Sequence, residues 1–213
     1  MTWHNDQVSE KETDKIITTA KECLAVEGDF VELGCYRGDT SLLLAEVIRD
    51  YSTNLVENSV DNPVKRLWIY DSFEGLPTKS SKDASELGIL FRAGELSATK
   101  REVKQRFLRA GLPVPIIKKK WFHDLTPADL PDKIAFAFLD GDFYESIRDS
   151  LRIISGKMAS GSVIIIHDYD NSALPGVAKA VDEWWSDNMG QLNIYHTMAI
   201  ITLNKNRQSC CIA

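Results

Sequence analysis

A chain of 213 residues with 44% hydrophobic content is long enough to bury one sizeable core and suits a single domain over residues 1–213. Its formal net charge of −6 argues against a nucleic-acid binder, whose phosphate contacts want a basic face, while leaving room for a small anionic ligand held locally. No apolar run is long enough to cross a bilayer, and Met1-Thr2-Trp3-His4-Asn5-Asp6 has neither the basic nor the apolar region of a signal peptide, so the expectation is a cytoplasmic protein with no membrane partner.

In chain order, Ile16, Ile17, Ala20, Cys23 and Leu24 form a helical stripe between about Thr13 and Ala25. Gly28-Asp29 breaks it, and the apolar strand Phe30-Val31-Glu32-Leu33 runs into the turn Gly34-Cys35-Tyr36-Arg37-Gly38. Gly34 and Gly38 let backbone approach a ligand where a side chain would block it. Asp39 and Thr40 then cap a helix with Leu42, Leu43, Val47 and Ile48 on its apolar side. Ser52 to Lys65 is polar and aperiodic and reads as a loop before the strand Arg66 to Asp71.

From Thr78 to Ala98 no period is sustained, and a closing lid and a plain surface loop are both open readings. Thr99 and Glu102 make a capping box for a helix reaching Ala110, which Gly111 and Pro113 end. Ile116 and Ile117 begin a strand that leads through Lys118-Lys119-Lys120, a solvated edge-strand face, to Trp121 and Phe122. The runs Ile134 to Leu139 and Ser162 to Ile166 are apolar throughout, as in strands buried on both faces. Between them Tyr144, Ile147, Leu151 and Ile154 fall at helical spacing. Pro175 opens a last helix, and Asn193 to Leu203 makes one or two terminal strands. Alternating strands and helices predict an α/β sandwich around a mostly parallel sheet. The four cysteines, Cys23, Cys35, Cys210 and Cys211, form neither a metal knuckle nor a disulfide framework. The tail Cys210-Cys211-Ile212-Ala213 has the outline of a prenylation box without adjacent basic residues and reads as a frayed terminus.

Four strands end on polar groups: Glu32, Asp71, Asp140, and the pair His167 and Asp168. In a parallel sheet these ends share one edge, where clustered acids repel unless a cation or hydrogen-bond donors compensate them. Asp71 is placed to accept two bonds from a ribose diol, or else to cap its own turn. Asp140 and Asp168 suit a hard divalent ion such as magnesium. His167, if it ligates, shifts the preference towards manganese, iron or zinc; otherwise it satisfies a backbone carbonyl. Trp121 and Phe122 either stack on a flat base or pack in the core.

The segments Gly28-Asp29-Phe30-Val31-Glu32-Leu33-Gly34-Cys35-Tyr36-Arg37-Gly38, Asp71-Ser72-Phe73-Glu74-Gly75-Leu76-Pro77 and Leu139-Asp140-Gly141-Asp142-Phe143-Tyr144-Glu145-Ser146 resemble the macrocin O-methyltransferase family, with a looser match at Ile165-Ile166-His167-Asp168-Tyr169. The family methylates sugar hydroxyls on macrolide and aminocoumarin natural products. The resemblance implies a class I (Rossmann-like) three-layer sandwich with a mostly parallel seven-stranded sheet, S-adenosyl-L-methionine as cofactor, and Mg2+ or another divalent ion. It implies that Glu32, Gly34, Cys35, Tyr36, Gly38, Ser41, Asp71, Ser72 and Asp140 hold the cofactor, with Trp121 and Phe122 bordering its adenine. It further implies metal ligation by Asp140 and Asp168, with His167 standing where the family usually has a second aspartate, and Asp142 as general base beside Asp140. Lys120 stands where the family pattern has glycine.

The function expected is metal-assisted O-methylation of a sugar or other vicinal diol in a natural-product or glycan pathway, with a small hydroxyl acceptor as partner and homo-oligomerisation left open. The alternatives are a non-catalytic cofactor-binding module and another α/β enzyme acting on a nucleotide-sugar. No phosphate-binding Gly-x-x-x-x-Gly-Lys loop or Gly-x-Ser-x-Gly elbow is present.

Overall fold

The structure is a computed structural model that describes residues 7–55, 65–87, 91–185 and 190–204. Its first helix, α1 (Glu10–Glu22), starts ahead of the expected Thr13 because Ser9 and Glu12 close a capping box at its first turn. Strand β1 (Asp29–Leu33) is buried along its whole length. Helix α2 (Asp39–Leu55) runs past Ser52, where a loop was expected. Ser52 and Thr53 turn their hydroxyls back onto the carbonyls of Ile48 and Arg49 and so satisfy themselves within the helix. The rest of that expected loop, 56–64, lies outside the described residues.

Strand β2 (Leu67–Asp71), helix α3 (Lys100–Ala110) and strand β3 (Ile116–Lys119) follow, with Gly111 in the left-handed region as the αL cap of α3. Then come β4 (Ile134–Leu139), α4 (Tyr144–Ile154), β5 (Met158–Ile166) and α5 (Pro175–Trp185). A hairpin of β6 (Gly190–Tyr195) and β7 (Met198–Leu203) completes the chain, so the terminal segment forms two strands. β5 begins four residues before the expected Ser162 but is in irregular register there: Met158 pairs with Ile134, and regular pairing resumes from Val163.

The seven strands lie in the order β3-β2-β1-β4-β5-β7-β6. The first five are parallel, and β7 runs antiparallel to both β5 and β6. Apolar layers fill both faces of the sheet. One packs Phe30, Phe136 and Phe138 under Ile16, Leu42 and Phe107 from α1, α2 and α3. The other packs Val31, Ala137, Leu139 and Ile164 under Ile147, Leu151 and Val177 from α4 and α5. These are the three layers and mostly parallel sheet expected. β3 is an edge strand, as the lysine run implied; Lys118 and Lys120 pair with Asp129, and Lys119 with Glu74.

The chain leaves β1 towards β2 and β3 on one side, and β4 to β7 lie on the other, so the carboxyl ends of β1 and β4 flank the point where strand order reverses. Ligands bind at such a point in open α/β sheets. Cys23 and Cys35 are free thiols, and the Cys210–Cys211 tail lies outside the described residues. No described helix is long and apolar enough to cross a membrane.

Candidate active site

Pairing continues one residue past the strands. The Gly34 N–H donates to Tyr70 O (2.9 Å), the Asp140 N–H to Leu33 O (2.9 Å) and the His167 N–H to Leu139 O (2.9 Å). These bonds fix three backbone positions side by side at one rim. Gly34 has φ +92, and a Cβ there would sit 1.9 Å from the Asp140 carbonyl oxygen. Only glycine allows the tips of β1 and β4 to approach this closely.

Glu32, just inside that rim, is 1% exposed and takes a short hydrogen bond from the Ser41 hydroxyl of α2. Burial pushes its pKa up to about 8 against that bond, so the carboxyl is largely protonated at neutral pH. Asp71 ties two turns together. Its Oδ2 accepts the N–H groups of Cys35 (2.9 Å) and Tyr36 (3.2 Å), and its Oδ1 accepts the Phe73 N–H (2.7 Å). A carboxylate has about four acceptor positions. Three of these positions on Asp71 are thus taken by backbone N–H groups of the two turns, as in the turn-capping alternative. Ser72 is buried and accepts the Glu74 N–H at 3.0 Å.

The tips of β4 and β5 bring Asp140, His167 and Asp168 together, with one ligand atom from each lying within 4.8 Å of the others. His167 Nδ1 is 3.1 Å from Asp140 Oδ1 and 3.0 Å from Asp168 Oδ2. The Asn171 amide holds the other oxygen of Asp168 at 2.8 Å. On the far side of the ring, Nε2 lies 3.9 Å from Glu12 Oε2. Burial opposes charge on this imidazole. The Asp140 carboxylate, with the bonds to Asp140 and Asp168 and the nearby Glu12 carboxylate, outweighs it and lifts the pKa far above the usual range. His167 in turn holds Glu12 well below the ordinary carboxylate range.

Asp142 adds a third acid at φ 60, a conformation aspartate tolerates better than most residues. Burial first, and then the charges of Asp140 and Asp168, raise its carboxyl well above the usual value. Two carboxylates and an imidazole with converging donor atoms, beside a third acid, fit a single divalent ion with positions left over for water or substrate.

These groups open into one cavity of about 610 Å³. It is lined by Glu32, Gly34, Cys35, Tyr36, Asp71, Ser72, Trp121, Phe122, Asp140, Asp142, His167 and Asp168. Gly38 and Ser41 are not on its wall; Ser41 lies buried behind Glu32. The 78–98 segment supplies Thr78, Asp83, Phe91, Ala93 and Leu96 to the wall. Asp83 anchors it, accepting the N–H and hydroxyl of Ser80 and, at 2.7 Å, the N–H of Tyr144 at the first turn of α4.

Two residues escaped the sequence reading. Glu12 carried a visible signal, the Ser9-x-x-Glu12 capping box, but nothing local announced its approach to His167. Asp83 sits in a Ser80-x-x-Asp83 box inside the aperiodic stretch, and a bond to α4 is not legible there.

A seven-stranded sheet in this order with β7 reversed, a glycine turn after β1 and an acid at the tip of β2 define the class I methyltransferase fold. The macrocin O-methyltransferase (TylF) family model matches residues 10–199, and the chain belongs to that family. It is 31% identical over 149 residues to the 8-demethyl-8-(2,3-dimethoxy-alpha-L-rhamnosyl)-tetracenomycin-C 4'-O-methyltransferase of Streptomyces olivaceus, covering 68% of this chain and 54% of that protein. To the demethyldecarbamoylnovobiocin O-methyltransferase of Streptomyces niveus it is 29% identical over 164 residues, covering 75% and 58%. The chain thus spans little more than half the length of these relatives. The O-methyltransferase NovP has a similar structure, with a TM-score of 0.76 at 25% identity, covering 91% of this chain and 80% of that one.

Proposed function

We propose that this chain is an S-adenosylmethionine-dependent O-methyltransferase that methylates a sugar or other vicinal-diol hydroxyl in a natural-product or glycan pathway, assisted by a divalent ion. The observation that carries this is the meeting of Glu32, Asp71, Asp140, His167 and Asp168 at the rim of one cavity. Two relatives named for methyl transfer to oxygen, on a rhamnosyl tetracenomycin and on demethyldecarbamoylnovobiocin, support the acceptor class.

When bound, the cofactor supplies a methyl already activated on its sulfonium, and the ion supplies positive charge that lowers the pKa of a chelated hydroxyl. Asp140, Asp168 and His167 would hold the ion. The Gly34–Tyr36 backbone, Asp71 and Ser72 would seat the cofactor, with Trp121 and Phe122 along its base. Asp142, beside the ion's ligands, would take the acceptor's proton in its ionised form. Residues 78–87, tied down through Asp83, and 91–98 on the same wall would help to exclude water.

The test is mass spectrometry for a one-methyl gain across glycosides and catechols, with wild type and Asp168→Asn, with and without magnesium or manganese. Wild type should methylate at least one diol. Asp168→Asn should lose turnover by about a hundredfold or more while still binding cofactor in calorimetry. Unchanged turnover in the variant would remove the metal from the reading.

A further inference from the structure

The imidazole of His167 has two distinct sides. Nδ1 faces the oxygens of Asp140 and Asp168 at 3.1 and 3.0 Å, while Nε2 faces Glu12 Oε2 at 3.9 Å. Glu12 is not free to swing away. Its Oε2 accepts the N–H and hydroxyl of Ser9 at 3.2 and 2.5 Å, and its Oε1 accepts the N–H and hydroxyl of Thr197 at 3.1 and 2.6 Å. Four donors, from Ser9 at the head of α1 and from Thr197, thus hold a buried carboxylate off the Nε2 edge of the ring, a small shift short of a direct hydrogen bond. The ring edge is further confined by Phe138, whose centroid lies 6.4 Å away.

A histidine bound to a metal through one nitrogen needs a proton on the other, and a fixed carboxylate beside that nitrogen sets the tautomer and the ring angle. A capping box alone would not demand the arrangement, because a capping glutamine closes the same turn without a charge. We propose that Glu12 is the positioning residue that holds a proton on Nε2 when an ion displaces the Nδ1 proton now shared with Asp140 and Asp168, and so presents Nδ1 as a nitrogen ligand. On the reading of Asp140 and Asp168 as ion ligands, on which this rests, the site then prefers manganese or another first-row transition ion to magnesium, because imidazole is a softer donor than carboxylate or water.

The experiment uses Mn2+ alone as probe on the whole chain. Free Mn2+ is followed by electron paramagnetic resonance, with Mg2+ as competitor, for wild type, Glu12→Gln and Ser9→Ala. Wild-type Mn2+ should show hyperfine coupling to a directly bound nitrogen and should resist displacement by about tenfold excess Mg2+. Glu12→Gln should weaken Mn2+ binding by about 10- to 100-fold. Ser9→Ala opens the same capping box but leaves the Thr197 clasp on Glu12, so it should lower thermal stability and leave affinity within about threefold. If Glu12→Gln does not fold, Glu12→Asp, which keeps the charge but draws it back from the ring, is read in the same titration and should also weaken binding. Saturable Mn2+ binding without nitrogen coupling, or equal affinity in wild type and the Glu12 variant, would overturn the inference and leave the ion reading standing. No saturable binding of either ion to wild type would remove both.

Discussion

Glu32→Gln isolates the consequence of burying a carboxyl at the tip of β1. The folded-state pKa of about 8 stands against an ordinary value of 4.5, so between those limits the folded chain carries a proton that the unfolded chain has released. For an acid shifted upwards, the stabilising contribution is complete below the unfolded pKa and is lost as pH rises through the folded one. The slope is about −1.4 kcal/mol per pH unit inside the window. From pH 5.5 to 8 the wild type should therefore lose on the order of 3 kcal/mol from this group, a loss that glutamine, which never ionises, does not share. Glutamine matches glutamate in size, and the Ser41 hydroxyl can reverse its role to meet the amide. The assay is urea unfolding followed by circular dichroism at half-unit steps from pH 5.5 to 8.5 for both proteins. Other titrating groups act on both chains and largely cancel in the difference. The stability difference should swing towards the variant by roughly 3 kcal/mol as pH rises. A flat difference would mean that Glu32 is already ionised in the folded chain and that the account of this rim is wrong.

Gly34→Ala should be far more damaging than an ordinary glycine-to-alanine change. The left-handed backbone adds about 1–2 kcal/mol, and the Asp140 carbonyl must retreat by more than an ångström from a Cβ placed 1.9 Å away. A stability loss above about 3 kcal/mol by thermal unfolding, with cofactor binding abolished in calorimetry, is expected; a melting temperature within about 2 °C of wild type would refute the close approach. Asp83→Ala strips partners from the N–H groups of Ser80 and Tyr144 and should cost about 1–3 kcal/mol. Hydrogen exchange should rise in residues 78–87 and 91–98 and stay unchanged in β4; equal exchange across the first stretch would show that Asp83 does not tether it.

The sheet was legible because β4 and the second half of β5, Val163 to Ile166, are apolar at successive positions, as suits strands covered on both faces, and because the capping box at Thr99 marks α3 outright. The end of α2 was misplaced because Ser52 and Thr53 resemble loop residues in composition yet bond back into the helix. The acids of the rim could be named from their strand ends. What each one does there could not. Asp71 uses most of its acceptor capacity on the backbone of a neighbouring turn, and side chain-to-backbone pairing of that kind depends on turn geometry that residue types do not encode. The contact between Glu12 and His167 joins the first helix to the fifth strand, a pairing that exists only once the sheet has assembled.

Gly34, Asp140 and His167 share a trait with evolutionary weight: their amides are stitched to the neighbouring strand, and they stand just beyond the regular ladder. At Asp140 and His167 this separates anchorage from chemistry. The main chain is clamped like a tool holder, and the fitting it carries can be exchanged without disturbing the layers beneath. On the proposed reading of this rim as an ion site, a lineage could thus trade aspartate for histidine at position 167 and retune its choice of ion while keeping these main-chain bonds.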